Sequence, residues 1–142
     1  MPSSPVCLDA SFLLYWLIGG EADSQADALL EEWHRTGRAL IAPTLLHYEV
    51  TNALHRYVVR GWLLPEEART LLDFVLRLGL HIYGDAELHR RALQLAEALS
   101  LPAAYDAHYL ALAERMGAEF WTADRRLAHR VREALPWVHL LA

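Results

Sequence analysis

Short apolar runs alternate along this chain with longer stretches whose apolar residues return every three or four positions, the spacing of one helix face. Pro5 to Leu8 predicts a first strand, followed by a short apolar helix from Ser11 to Ile18 that Gly19-Gly20 closes. Ser24 to Thr36 sets Leu29, Leu30 and Trp33 at helical spacing, with Gly37 as its stop. Ala39 to Ala42 is the second strand candidate. Pro43-Thr44 then opens a long helix to Arg60 and Gly61, and Pro65 suits the first turn of the next, which ends near Gly79. Leu80 to Tyr83 predicts a third strand, Asp85 caps a helix reaching Ser100, and Pro102 starts a helix that ends before Gly117. Glu119 to Thr122 is the fourth strand, Asp124 begins the last helix, and Trp137 to Leu141 is a candidate fifth strand at an edge.

This alternation implies an α/β fold, with a mainly parallel sheet of four to five strands and helices on both faces. With no linker, repeat or low-complexity tract, residues 1–142 are expected to form one domain. Ligands of such sheets bind beyond the carboxyl ends of the strands, near the point where strand order reverses. No G-x-G-x-x-G follows a strand, so a nucleotide cofactor is not expected.

Four acids stand in places where acids are costly. Asp9 and Asp124 follow apolar strand runs. Glu49 has Leu45 and Leu46 behind it and Asn52 and Ala53 ahead at helical spacing; Asp106 has Ala103 behind it and Tyr109, Leu110 and Ala113 ahead. Both therefore lie beside apolar stripes. A carboxylate on an apolar face stays ionised only when something positive neutralises it, and four converging would repel one another. A shared divalent cation is the simplest remedy, and oxygen ligands suit Mg²⁺ or Mn²⁺. For Asp9 and Asp124, helix capping is an equally good explanation. The histidines form no zinc pattern, and His108 reads as a surface or structural residue.

Composition narrows the classes. The hydrophobic share of 54% exceeds the usual value of about 45–50%, which suggests apolar surface kept for a partner. The net charge of −5 argues against bulk attraction to nucleic acid without excluding it, because clustered carboxylates contribute to that count. All basic residues are Arg; without Lys there is no P-loop and no Schiff-base chemistry. Response-regulator receivers and haloacid-dehalogenase-like phosphatases, which normally set a Lys beside their acids, fit poorly. The single Cys7 excludes an internal disulfide and reads as a core residue. The N-terminal apolar stretch is broken by Asp9 and is too short to span a membrane, and no signal peptide is expected. A cytoplasmic setting fits best.

The segments Val6-Cys7-Leu8-Asp9-Ala10-Ser11, Ala42-Pro43-Thr44 through Glu49-Val50-Thr51-Asn52-Ala53-Leu54, Tyr105-Asp106-Ala107-His108-Tyr109-Leu110-Ala111-Leu112-Ala113 and Trp121-Thr122-Ala123-Asp124 resemble the PIN-domain ribonucleases, above all the VapC-type toxins of prokaryotic toxin–antitoxin pairs. The likeness spans nearly the whole chain, in order and spacing. It implies an α/β/α sandwich and a Mg²⁺- or Mn²⁺-dependent endoribonuclease. Asp9, Glu49, Asp106 and Asp124 match its acidic quartet, with Asp9 and Asp106 as principal metal anchors and Glu49 and Asp124 binding directly or through water. Ser11 and Thr122 match supporting polar positions, and Asn52 a frequent neighbour of the Glu. Where some relatives carry a further acid, this chain has Arg125-Arg126-Leu127, which leaves a second metal open.

Arg125, Arg126 and Arg130, with Arg132, make the last helix the most basic segment. They are candidates for RNA contact beside the acids, or simply a solvated face. Arg90 and Arg91 are weaker candidates. The aromatic and aliphatic cluster of Tyr57, Trp62, Leu63 and Leu64 either seals the core or receives a partner. The resemblance implies a homodimer and a VapB-like antitoxin that blocks the acidic pocket with a basic side chain. Three other readings stay open: a housekeeping PIN nuclease of RNA or DNA, a catalytically silent binding module, and a metal-dependent phosphatase.

Overall fold

The structure, a computed structural model, describes residues 4–19 and 23–141; the Gly20 half of the expected first helix stop lies outside them. Five parallel strands form one sheet: β1 (Val6–Leu8), β2 (Leu40–Pro43), β3 (His81–Tyr83), β4 (Glu119–Thr122) and β5 (Val138–Leu140), in the order β3-β2-β1-β4-β5. Cys7 stands opposite Ile41 on one side and Phe120 on the other. β1 is thus flanked on both sides, which is why its three residues are all buried and apolar rather than alternating. The edge strand expected at Trp137–Leu141 is β5, pairing with β4 from Phe120↔Val138 to Thr122↔Leu140.

The helices are α1 (Ala10–Ile18), α2 (Asp23–Arg35), α3 (Leu45–Val59), α4 (Pro65–Leu76), α5 (Ala86–Ala98), α6 (Tyr105–Met116) and α7 (Arg125–Val131). Strand order moves outward from β1 to β3 and back to β4 and β5. Right-handed crossovers therefore lay α1–α4 over one face and α5–α7 over the other. Phe12, Leu13, Leu46 and Val50 fill the first layer, and Leu110, Leu112 and Leu88 the second. Tyr109 of α6 is fully buried with its ring 6.0 Å from that of Phe120. Each such side chain contributes roughly 1.5–3 kcal/mol on burial.

Most boundaries follow local chemistry. Asp85 accepts the Leu88 N–H at 3.2 Å, as its capping position predicts. Pro65 occupies the first position of α4, where Glu67 reaches back to the Leu64 N–H at 2.8 Å. One boundary differs: α6 begins at Tyr105, not at Pro102. Ser100 ends α5 in the left-handed region (φ 53°), and the proline bars Leu101 from helical geometry. The chain spends residues 101–104 crossing to the new helix.

Trp62 and Leu64 do not seal the core. They are 64% and 61% exposed at the α3–α4 turn, with Tyr57 against Trp62 at 5.5 Å and the Arg60 guanidinium 5.1 Å over its ring. Cys7 is a buried free thiol, its pKa raised by burial and by the nearby Asp9 charge. Among the described residues no helix is long and apolar enough to cross a membrane.

Candidate active site

Strand order turns back between β1 and β4, so the gap for a ligand opens at their carboxyl ends. Asp9 and Asp124 stand there, each the residue that follows its strand and caps the next helix. Asp9 Oδ1 accepts the Phe12 N–H at 3.0 Å, and Asp124 Oδ1 the Leu127 N–H at 3.1 Å. Capping does not use up Asp9. The Ser11 hydroxyl donates to Oδ1 at 2.7 Å and the Thr122 hydroxyl to Oδ2 at 2.5 Å. In turn Ser11 Oγ accepts the Ala123 N–H at 2.9 Å, and Thr122 Oγ1 the Asp124 N–H at 3.0 Å. Two hydroxyls thus tie the ends of β1 and β4 together around one carboxylate. Ser11 and Thr122, predicted as supporting positions, are at this junction.

Asp9 is only 4% exposed. Burial pushes its pKa up to about 7, aided by the Asp106 charge and opposed by the hydrogen bonds from Ser11, Thr122 and Phe12. Glu49, half-buried in the first turns of α3, is raised by burial and again by Asp106, with the hydrogen bond from Tyr109 pulling the other way. Asp106, in the first turn of α6, is raised by burial and by Asp124. Each of these couplings has Asp106 as one member, joining it separately to Asp9, Glu49 and Asp124. Asp106 also takes no hydrogen bond from any described residue, so its lone pairs face the site unspent.

Tyr109 was read from the sequence only as an apolar neighbour of Asp106. Its hydroxyl donates to Glu49 Oε1 at 2.5 Å, fixing an acid of α3 from a ring buried under α6. The signal was there: a tyrosine in an apolar stripe needs a partner for its hydroxyl, and an acid was available. Asn52 is exposed on α3 and hydrogen-bonds to no described residue, so nothing joins it to the acids. His108 takes the structural role the sequence allowed it: it hydrogen-bonds to Ala104 O (2.8 Å) and to His89 (2.9 Å).

The arginines separate. Arg126 and Arg130 line a cavity of about 210 Å³ together with Asp106, Asp124, Pro102 and Leu127, whereas Arg125 lies outside it. Arg90 pairs with Glu87 and Arg91 with Glu114, the latter at 2.7 Å, away from the acids.

Among the described residues no three His, Cys, Asp or Glu side chains close into a finished metal cage. The donor chemistry nevertheless fits a hard divalent cation. Only oxygen donors are offered, neighbouring acids help to raise the pKa of Asp9, Glu49 and Asp106, and among the described residues no Arg ion pair neutralises any of the four.

The PIN domain pattern matches residues 6–133. The chain is 32% identical to Ribonuclease VapC3 of Pyrobaculum aerophilum over 127 residues, which cover 87% of this chain and 92% of that protein. Its fold resembles that of PAE2754 from the same organism, with a TM-score of 0.69 and 26% identity over 90% of this chain and 85% of the other. A toxin–antitoxin complex from Klebsiella pneumoniae has the same fold at a TM-score of 0.69 and 20% identity, over 96% and 98% of the two chains. With the pattern matched over residues 6–133 and a relative 32% identical across 87% of this chain, the protein belongs to the PIN domain family.

Proposed function

We propose that this protein is an endoribonuclease that hydrolyses RNA phosphodiester bonds with Mg²⁺ or Mn²⁺, and that it is the toxin of a pair whose antitoxin is VapB-like. The observation that carries the reading is the buried Asp9, held by Ser11 and Thr122 and coupled through Asp106 to Glu49 and Asp124. The names of its relatives supply the substrate class.

Asp9 and Asp106 would be the principal ligands of the cation, with Glu49 and Asp124 binding directly or through water. Bound there, the ion supplies positive charge against the scissile phosphate and makes the attacking water more acidic. Ser11 and Thr122 hold the Asp9 oxygens in place, so that carboxylate needs no rearrangement during the reaction. Tyr109 does the same for Oε1 of Glu49 and leaves Oε2 able to orient water and accept its proton. Arg126 and Arg130 face the cavity that Asp106 and Asp124 also line, where they can contact the phosphates on either side.

An antitoxin segment would dock on the exposed Trp62 and Leu64, and Trp62→Ala should weaken its co-purification. The main test is cleavage-site mapping on total RNA with wild type and Asp106→Asn, with and without Mn²⁺. Discrete cuts are expected only with wild type and Mn²⁺. Undiminished cutting by the variant refutes the assignment.

A further inference from the structure

A second cavity, of about 280 Å³, opens at the carboxyl ends of β2 and β3, lined chiefly by Tyr48, Tyr83, Tyr105, His89 and His108. Its floor is fixed. Thr44 N–H donates to Tyr83 O at 2.9 Å, and a side chain at Gly84 would meet Thr44 Cγ2 at 2.8 Å, so glycine permits the close approach. Tyr48 and Tyr105 are 74% and 65% exposed, unusual for large rings on a helix start and so close in the chain to Glu49 and Asp106.

The polar edge is also defined. Ala104 O can only accept, so His108 Nδ1 donates to it at 2.8 Å, and His108 Nε2 shares a hydrogen bond with His89 Nδ1 at 2.9 Å. His89 Nε2 hydrogen-bonds to no described residue. The lining contains no Asp, Glu or Arg, whereas Arg126 and Arg130 line the cavity beside Asp106 and Asp124. With no Arg beside them, the exposed tyrosine faces suit a neutral, planar heteroaromatic ring better than a charged phosphate. The two cavities share the start of α6, which gives Asp106 to one and Tyr105 and His108 to the other. A polymer that alternates phosphates with aromatic bases fits that alternation.

We propose that this second cavity holds one unpaired nucleobase of the RNA strand beside the cleaved phosphate, stacked on Tyr48 and Tyr105, an inference that rests on the RNA-cleavage reading above. Every base carries both a donor and an acceptor on its Watson–Crick edge, so His89 Nε2 finds a partner there in either tautomer, and that edge is free only in an unpaired strand. The cavity therefore selects single strands and loops over duplex.

The test uses the whole chain and random-sequence single-stranded oligoribonucleotides bearing one 2-aminopurine, with fluorescence followed in Mn²⁺ before cleavage and cleavage kinetics afterwards. Wild type should quench the fluorescence. Tyr48→Ala and Tyr105→Ala should each lose the quenching and raise KM by about tenfold with kcat nearly unchanged, while Tyr→Phe at either position keeps the ring and restores both. Alanine variants that quench and cleave like wild type overturn the proposal. So does a change of oligomeric state in those variants without a change in KM, since a second copy of the chain would then cover the cavity. Cutting without quenching by wild type sinks the base site alone; quenching without cutting keeps the base site and sinks the nuclease reading.

Discussion

At the scale of single residues, burial and hydrogen bonding pull Asp9 in opposite directions, and burial wins. Its carboxyl has an ordinary value of 3.8 and rises to about 7 in the folded, metal-free chain. Between those values the folded protein holds a proton that the unfolded chain has released. This group's contribution to stability is therefore full on the acid side and is lost as pH climbs from about 3.8 to about 7. Thermal melts in EDTA should show the transition temperature falling over that interval, and Asp9→Asn should flatten the slope. Thr122 offers a second test. Valine in its place would strip Asp9 Oδ2 of its donor and leave the Asp124 N–H without its acceptor. Denaturant titration should show a loss of about 1–3 kcal/mol, and cleavage should fall with it. Tyr109→Phe removes only the hydroxyl that fixes Glu49, so its expected signature is slower cleavage with little loss of stability.

The residue scale also shows what a sequence can carry. Asp9 and Asp124 each had two explanations, capping and chemistry, and in the structure each does cap its helix. The capping bond uses one lone pair and leaves the others, so the two explanations never competed. Tyr109 escaped notice because spacing places a side chain on a face but does not say where its hydroxyl ends.

Among the elements, strands and helices were legible wherever local chemistry marks them: Asp85 as a cap, Pro65 in a first turn, and Gly117 at the end of α6. Gly117 has φ 61° and nothing within 4 Å of where a side chain would start. Gly117→Ala should cost about 1–2 kcal/mol from backbone strain alone, measurable by denaturant unfolding, with the site unaffected. The start of α6 is not legible in the sequence, because a proline permits a helix start without compelling one, and the left-handed Ser100 takes the chain elsewhere first. The Trp62 turn was undecidable from pattern, since an apolar residue in a loop serves a core or a partner equally well. Its exposure settles that it leaves the core, so Trp62→Ala should leave the melting temperature within about a degree or two of wild type, as surface changes usually do.

For the molecule as a whole, periodicity indicated a parallel sheet, but strand order could not be read from it. That order matters most, because the reversal beside β1 sets Asp9 and Asp124 at neighbouring strand ends, and Asp106 couples electrostatically to both and to Glu49. Their mutual repulsion is the cost of the arrangement, and a bound cation would relieve it. Calorimetric titration of Mn²⁺ into the metal-free protein tests this most directly. Wild type should bind the ion, more tightly as pH rises towards 7 and Asp9 loses its proton, while Asp9→Asn and Asp106→Asn, still folded, should bind at least about tenfold more weakly, the loss expected on removing one charged ligand oxygen. Equal affinity in wild type and both variants would contradict the claim that these carboxylates act as one site.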